Sequence, residues 1–259
     1  MIKKKLLLVN NFLLFFGFNL IRFLKSLKFV FFKYPLDLFF FIKKKKDFKK
    51  IKLFPALDDE SHDIDKIYFN QDIIVAKKIF KIKPQNHLDI GSRIDGFISH
   101  LATFRKVYVM DIRPINIEDE NIIFLKKDLM KNDIETKYLR HFDSISSLHA
   151  IEHFGLGRYG DKLDPIGHIK GIENLQKYLK KNGLFYLSVP VGSKSKIYFN
   201  AHRVFTIKEI LNIFSKDYEF VSLELLNDQG DKLPFQNLED NLEEIDFEYG
   251  CGIFTFEKK

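Results

Sequence analysis

Short apolar segments alternate with helical segments from about residue 70 to the end of the chain, and this alternation constrains the fold most strongly. Strands that are apolar on both faces are typical of parallel sheets covered by helices on either side. The fold class is therefore α/β, with a mostly parallel sheet. The predicted helices are 71–81, 94–104, 131–140, 168–180 and 206–215. The predicted strands are 87–90, 106–110, 122–125, 142–148, 184–189, 220–225 and 252–256.

The positive charge of the chain is confined to its first 52 residues. They hold 14 of the 42 Lys and Arg residues and two of the 35 acidic residues, a net charge of +12, whereas residues 53–259 carry −5. We therefore divide the chain into a basic hydrophobic segment, 1–52, and an α/β domain, 53–259. The negative charge of the domain argues against a nucleic-acid partner. A single cysteine, Cys251, excludes a disulfide-stapled fold and a cysteine-based zinc finger.

Basic and polar residues interrupt the two apolar runs of the N-terminal segment, Leu6–Leu24 and Phe29–Ile42. A membrane-spanning helix needs about 20 mostly apolar residues, and neither run meets that condition. Basic residues among Phe and Leu favour a helix lying in the interface of an anionic membrane. This predicts a cytoplasmic protein, peripheral at the inner face of the membrane, with a solvated linker over Lys43–Lys52. The alternative is a helical pair that packs on the domain or on a partner.

Glycine and acidic residues follow the first three predicted strands of the domain. Gly91 comes after the first strand, Asp111 after the second and Asp128 after the third. Ligands of such sheets bind beyond the carboxyl ends of the strands, where the strand order reverses. Gly91 allows a ligand to approach the backbone closely, and Asp111 can accept both hydroxyls of a ribose. Asp128 can accept from an adenine amino group, although each aspartate can instead cap the next helix.

Five motifs of the domain resemble class I S-adenosylmethionine-dependent methyltransferases. The motifs are Leu88–Arg93, Val107–Asp111, Leu148–His153, Leu184–Pro190 and His202–Thr206. This resemblance covers roughly residues 70–259 and implies a Rossmann-like, mostly parallel, seven-stranded sheet. The blocks Gly155–Asp161 and Tyr198–Arg203 resemble more narrowly a bacterial and nematode family called domain of unknown function 268. That name supplies no activity.

The methyltransferase resemblance implies S-adenosylmethionine as the cofactor. The residues that it assigns to the cofactor are Asp89, Gly91, Ser92 and Arg93 for the methionine end, Asp111 for the ribose and Asp128 for the adenine. Arg93 departs from the family, which usually has a further glycine at this position. Arg93 either binds the carboxylate of the cofactor or obstructs the pocket. The departure leaves open a catalytically inactive methyltransferase fold that serves as a scaffold at a membrane.

Titratable side chains are concentrated after the fourth and fifth strands. Methyl transfer to oxygen or nitrogen needs a deprotonated acceptor, and a histidine oriented by a carboxylate can remove the proton. We predict His153 as this base, with Glu152 beside it and His149 as the second candidate. The predicted substrate-binding residues are Tyr159, Asp161, His202 and Arg203. The resemblance favours a small molecule, or a sugar or glycan intermediate of bacterial surface polysaccharide assembly, as the acceptor.

The same catalytic candidates fit the H-x-x-E-H motif of inverted zinc hydrolases. On one continuous helix, His149 and His153 would share a face and bind zinc, with Glu152 as the base. A strand is predicted to end at His149, which argues against that helix, so no metal is assigned. A metal-dependent enzyme using these three residues stays an alternative. Cys251, between two glycines near the last strand, is predicted to pack in the core.

Overall fold

The computed structural model describes residues 9–10, 13, 18–44, 51–53, 65–234 and 248–259. The predictions for residues 6–8, 11–12 and 14–17 of the first apolar run, and for residues 45–50 of the linker, lie outside these residues. The α-helices are Leu20–Lys28 (α1), Tyr34–Lys44 (α2), Lys66–Ile82 (α3), Ser99–Ala102 (α4), Gly167–Tyr178 (α5) and Ile207–Phe214 (α6). The π-helical turns are Phe29–Lys33 and Ile94–Ile98, and the 3-10 turns are Thr136–Tyr138 and Ile151–His153.

The strands form a large central sheet and a small second sheet. The strands are Ile51–Leu53 (β1), His87–Ile90 (β2), Val107–Asp111 (β3), Ile122–Lys126 (β4), Phe142–Leu148 (β5), Leu179–Val191 (β6), Lys196–Phe199 (β7), His202–Val204 (β8), Tyr218–Leu226 (β9), Lys232–Leu233 (β10) and Gly250–Lys258 (β11). The central sheet has the order β10-β9-β11-β6-β5-β2-β3-β4, in which β11 runs antiparallel to β6 and β9. Apart from the two-residue β10, this is the predicted Rossmann-like sheet of seven strands, mostly parallel.

Apolar side chains cover both faces of the central sheet, because nearly every residue of its inner strands is buried. Leu175 of α5 and Phe214 of α6 belong to one apolar cluster, together with Ile90 of β2. Ile79 of α3 belongs to a second cluster, together with Val109 of β3. Helices therefore lie on either side of the sheet, as the alternation of segments predicts.

One predicted helix, 131–140, is wrong. The structure has only a 3-10 turn there, Thr136–Tyr138. The Asp128 carboxylate accepts from the backbone N–H of Met130 at 3.0 Å and turns the chain, while Ile134 and Tyr138 pack against the core. Apolar residues four positions apart imitate a helical period here, although the backbone is mostly irregular.

The second sheet joins the N-terminal segment to the domain. Its order is β1-β7-β8, and the parallel pairing of β1 with β7 places the predicted boundary near residue 52 inside a strand. Phe41 of α2 is buried, with its ring centroid 4.7 Å from that of Phe199 on β7. The Tyr34 hydroxyl donates to the Phe199 carbonyl oxygen at 2.5 Å. Helix α2 and strand β1 of the segment therefore pack on the domain.

Candidate cofactor and catalytic site

A cleft lies beyond the carboxyl ends of β2, β3, β4 and β5. The strand order reverses between β2 and β5, so the cleft occupies the position where ligands of such sheets bind. The cleft consists of two adjoining pockets, one towards β4 and the other towards α3. The residues that line both pockets are Gly91, Asp111, Arg113, His149, His153 and Tyr159.

The turn after β2 is held by hydrogen bonds to a buried carboxylate. Asp89 accepts from the backbone N–H of Ser92 at 3.0 Å and from the hydroxyls of Ser92 and Ser146 at 2.7 and 2.6 Å. Burial raises the pKa of Asp89 to about 7. Gly91 has a φ of +69°, and a Cβ there would lie 3.0 Å from the Cβ of Ala150. Gly91 and Ser92 line the cleft, whereas Asp89 does not line it and positions their turn.

Arg93 lies at the rim of the pocket nearer α3. Its guanidinium pairs with Asp95 at 3.1 Å and lies 5.3 Å from the ring centroid of Tyr68 on α3. Half of its side chain is exposed, so the guanidinium is directed outward from the turn. This placement does not obstruct the pocket towards β4, which Arg93 does not line.

Asp111 ends β3 and is bound on both oxygens by the guanidinium of Arg113. Oδ1 accepts from the backbone N–H and from Nε of Arg113 at 2.8 and 3.0 Å, and Oδ2 accepts from Nη2 at 2.6 Å. The carboxylate is nearly buried, whereas almost half of the Arg113 side chain is exposed. The carboxylate predicted to bind a ribose is therefore in the cleft, paired with a cation that the sequence analysis missed.

Asp128 lies just beyond β4 and lines the pocket towards that strand. Besides capping Met130, it is 3.9 Å from the Lys131 ammonium. The same end of the pocket is apolar, because it is lined by Met110, Ile112 and Leu129. A flat, largely apolar group with a polar edge, such as an adenine, fits this combination.

The three catalytic candidates lie together after β5. Glu152 is fully buried, with Oε1 3.0 Å from Nδ1 of His149 and 3.7 Å from Nε2 of His153. Burial raises the pKa of Glu152, but the hydrogen bond and the positive charge of His149 help to hold the pKa below its usual value. Burial alone would lower the pKa of His149, whereas contacts with Cys251 and Glu152 raise it well above the usual value. His149 and Glu152 therefore form a buried ion pair.

His153 is neutral and has a defined tautomer. Its Nδ1 lies 2.6 Å from the carbonyl oxygen of Ala201, and since a carbonyl only accepts, Nδ1 carries the proton. Burial lowers the pKa of His153. Nε2 is therefore unprotonated, on a ring that lines both pockets. A neutral imidazole whose Nε2 is unprotonated can accept a proton as a general base, and the nearby carboxylate would stabilise the imidazolium that forms.

The loop that follows, residues 155–161, forms one wall of the cleft. Asp161 accepts from the backbone N–H groups of Gly155, Gly157 and Tyr159 at 2.8, 3.2 and 3.2 Å. The ring of Tyr159 lies edge-on to His153, with centroids 5.3 Å apart. Tyr159 is therefore placed against the predicted base. The carboxylate of Asp161, predicted to bind substrate, instead holds the conformation of the loop through these hydrogen bonds.

The other two predicted substrate residues lie behind the cleft. Arg203 is buried and donates to the carbonyl oxygens of Glu152, Phe154 and Pro165 at 3.0, 2.7 and 3.1 Å. Burial lowers the pKa of Arg203 to about 10. His202 lines neither pocket, and burial lowers its pKa to about 4. This placement favours a role for Arg203 in holding the catalytic turn rather than in contacting substrate.

The geometry does not support the zinc-hydrolase alternative. His149 has a φ of +49° and precedes a 3-10 turn over Ile151–His153, so no continuous helix carries both histidines. In the part of the chain that the structure describes, no group of three or more His, Cys, Asp or Glu side chains is arranged to hold a metal ion. Cys251 is buried and contacts the Ser188 hydroxyl at 3.2 Å, as expected for a core residue.

A family model described as Caenorhabditis protein of unknown function, DUF268, matches residues 101–239, more than half of the chain. The chain belongs to the DUF268 family. The match includes both blocks on which the sequence resemblance rests. No curated protein matches this DUF268 chain.

Solved structures resemble the DUF268 chain in fold. The 1,6-didemethyltoxoflavin-N1-methyltransferase of Burkholderia thailandensis, solved with S-adenosylhomocysteine, has a TM-score of 0.51 at 13% identity, covering 75% of this chain and 80% of that one. The N-methyltransferase NodS of Bradyrhizobium japonicum has a TM-score of 0.49 at 15% identity, covering 78% and 93%. The first of these shows that the chain has the fold of a class I methyltransferase.

Tyr68, Arg113 and Arg158 are among the cleft residues that the sequence did not lead us to predict. Arg113 follows the strand-end carboxylate by two positions, and Arg158 immediately precedes Tyr159. Both arginines could have been predicted, because each lies within two positions of a residue that was predicted to bind a ligand. Tyr68 had no such signal, because only the packing of α3 brings it to the cleft.

Proposed function

We propose that the chain is a methyltransferase that uses S-adenosylmethionine. The observation that carries this proposal is the Asp111 carboxylate, which ends β3 beside the Gly91 turn at the switch point of the sheet. A carboxylate at this position can accept hydrogen bonds from both hydroxyls of a ribose. The backbone at Gly91 has no side chain to exclude a ligand, and the apolar pocket around Asp128 suits an adenine.

The residues of the cleft fit the cofactor in the order in which its parts are joined. Gly91 and Ser92 would hold the methionine end, Asp111 the ribose and Asp128 the adenine. The bound cofactor supplies an electrophilic methyl group on a sulfonium. Binding requires one rearrangement in the protein, because the Arg113 guanidinium must leave Asp111 before ribose hydroxyls can take its place.

His153 is suited to remove the proton of the acceptor. Nε2 is free to accept it, and Nδ1 is held by the Ala201 carbonyl, so the ring keeps its orientation during the transfer. Glu152, 3.7 Å from Nε2, stabilises the imidazolium that forms. The ion pair with His149 keeps Glu152 ionised, because a carboxylate bound to a protonated histidine resists protonation. The acceptor in this proposal is a small molecule or a sugar intermediate of surface polysaccharide assembly that bears a hydroxyl or amine.

Calorimetric titration of S-adenosylhomocysteine into the full chain tests the proposal. We expect saturable binding that Asp111→Asn weakens by about 10- to 100-fold, because the ribose loses charge-assisted hydrogen bonds. Asp143→Asn is the matched control, because Asp143 pairs with Lys180 at 2.7 Å at the start of β5, at the end of the strand away from the cleft. This control should bind within about twofold of the wild type. A folded wild-type chain that does not bind would refute the proposal and favour the inactive scaffold.

The N-terminal helices present an apolar face that we propose to be a contact for an anionic membrane surface. Phe31 and Phe32 are 68% and 73% exposed, while Tyr34 and Phe41 are buried against the domain. The further exposed apolar residues of these helices are Phe23, Leu24, Leu27, Leu36, Phe39 and Phe40. The exposed lysines among them are Lys25, Lys28, Lys33, Lys43 and Lys44. Among the residues that the structure describes, no helix has the length and apolar composition to cross a bilayer. Such a face suits the interface of the inner leaflet.

Co-sedimentation of the full chain with phosphatidylglycerol vesicles tests this contact. We expect binding that falls as salt is raised and that the double substitution Phe31→Ser with Phe32→Ser reduces more than about tenfold, since each buried Phe contributes about 1.5–3 kcal/mol. The double substitution Phe69→Ser with Phe80→Ser, on exposed positions of α3, should leave binding unchanged. Equal sedimentation of both double variants would show that the N-terminal face is not the contact.

A further inference from the structure

The pocket towards α3 contains two arginines on one aromatic ring. The guanidinium carbon of Arg113 lies 4.2 Å from the ring centroid of Tyr159, and that of Arg158 lies 5.3 Å from it. Arg158 donates one hydrogen bond to the Ala201 carbonyl at 3.1 Å, and none of the carboxylates in the described ranges lies within ion-pair distance of its guanidinium. Both arginines line the pocket together with His153. Cationic donors therefore flank the proposed base.

The proposed cofactor changes the charge of this pocket. The Arg113 side chain donates to both oxygens of the carboxylate that the ribose needs, and Oδ1 already accepts two hydrogen bonds. A ribose and this guanidinium therefore compete for Asp111. Once displaced, the guanidinium has no carboxylate partner and stays tethered beside Tyr159 and Arg158. Arginine binds carboxylate and phosphate groups through paired hydrogen bonds, so the released side chain is a ready anion ligand.

We propose that Arg113, released from Asp111 when the cofactor binds, joins Arg158 to bind a phosphate or carboxylate group of the acceptor. This inference rests on the proposed methyltransferase function and names the acceptor class as anionic. The anion would lie next to His153, which places the acceptor hydroxyl or amine within reach of the base. A negative acceptor is also complementary to the positive sulfonium beside it.

The arrangement implies an order of binding. Without cofactor, Asp111 neutralises Arg113 and the anion site holds one free arginine; with cofactor, it holds two. The cofactor therefore strengthens acceptor binding, and by linkage the acceptor strengthens cofactor binding by the same factor. Because Asp111 is shared, loss of Arg113 should affect the two ligands in opposite directions. General damage to the cleft would weaken both.

Titration of inorganic pyrophosphate and of malonate into the full chain, with and without saturating S-adenosylhomocysteine, tests the inference. We expect S-adenosylhomocysteine to raise the affinity for at least one of these anions by about fivefold or more, and the stronger of the two identifies the acceptor group as phosphate or carboxylate. Arg158→Gln should weaken anion binding in both conditions. Arg113→Ala should abolish the enhancement while tightening S-adenosylhomocysteine binding by about two- to tenfold, because the competitor for Asp111 is gone.

Lys106→Ala is the matched control, since it removes an exposed cation at the opposite end of β3. It should change neither titration. If S-adenosylhomocysteine binds but neither anion does, or if Arg113→Ala weakens S-adenosylhomocysteine binding, the inference is wrong and the proposed function stands. If S-adenosylhomocysteine itself does not bind, the proposed function fails first, and the inference fails with it.

Discussion

Replacing His153 with asparagine is expected to lower the rate of methyl transfer by about 100- to 10,000-fold while leaving S-adenosylhomocysteine affinity within about twofold. The neutral imidazole of His153 lines the cleft and has its Nε2 3.7 Å from Glu152. The rate is measured as transfer of label from methyl-tritiated S-adenosylmethionine to a sugar phosphate acceptor. Nitrogen NMR of the wild type supplies a readout that needs no acceptor: at pH 7, Nδ1 of His153 should be protonated and Nε2 bare.

The pH dependence follows from the same residue. Burial lowers the pKa of His153 below its usual value of 6.5, so the base stays unprotonated at neutral pH. The rate should therefore fall only as the pH drops through that lowered pKa, on the acid side of 6.5.

His100→Asn is the matched control for the substitution of His153. Nδ1 of His100 also lies 2.6 Å from a backbone carbonyl, that of Gly96, but the ring lines neither pocket. An His153→Asn chain within threefold of the wild-type rate would remove His153 from the mechanism.

The second large effect is expected at Gly91. A Cβ at this position would lie 3.0 Å from the Ala150 Cβ, on a backbone with a φ of +69°. Gly91→Ala should thus distort the turn beside the cleft and weaken S-adenosylhomocysteine binding by about 10- to 100-fold, equivalent to about 1.4–2.8 kcal/mol. Calorimetric titration measures the loss, and thermal unfolding separates it from loss of fold.

Gly160→Ala is the control for the backbone cost. Gly160 also has a positive φ, +85°, but a Cβ there would meet no atom within 4 Å. Both variants therefore carry the strain of a left-handed alanine, about 1–2 kcal/mol, and only Gly91→Ala adds a contact in the turn. A Gly91→Ala chain that binds S-adenosylhomocysteine within about twofold of the wild type would mean that the Gly91 turn does not hold the ligand.

The sheet could be predicted because its strands are buried on both faces and therefore leave a plain apolar signature. Every predicted strand of the central sheet is present, and Thr206 caps α6 by accepting from the backbone N–H of Glu209 at 3.1 Å. The predicted helix over 131–140 was wrong, since a four-residue apolar spacing is shared by helices and by irregular chain that packs on a core. The pairing of β1 with β7 in the second sheet had no local signature, because the paired residues lie 146 positions apart.

The position of the site could be predicted more closely than the role of each side chain. Strand ends such as Asp111 and Gly91 are placed by topology alone. Arg113 could have been inferred, because it lies only two positions from Asp111. The hydrogen bonds of Arg203 to three backbone carbonyls depend on tertiary packing and left no trace in the sequence. Asp161 looked like a ligand for the same reason: its three hydrogen bonds are made to the backbone of its own loop.

A crystal structure of the full chain grown with S-adenosylhomocysteine tests the central claim most directly. The account predicts the ligand in the cleft, with its ribose hydroxyls about 2.7 Å from the Asp111 carboxylate and its amino-acid end beside the Gly91 turn. Arg113 should have turned from Asp111 towards Arg158. A cleft that stays empty at a saturating ligand concentration, with Arg113 still bound to Asp111, would contradict the account.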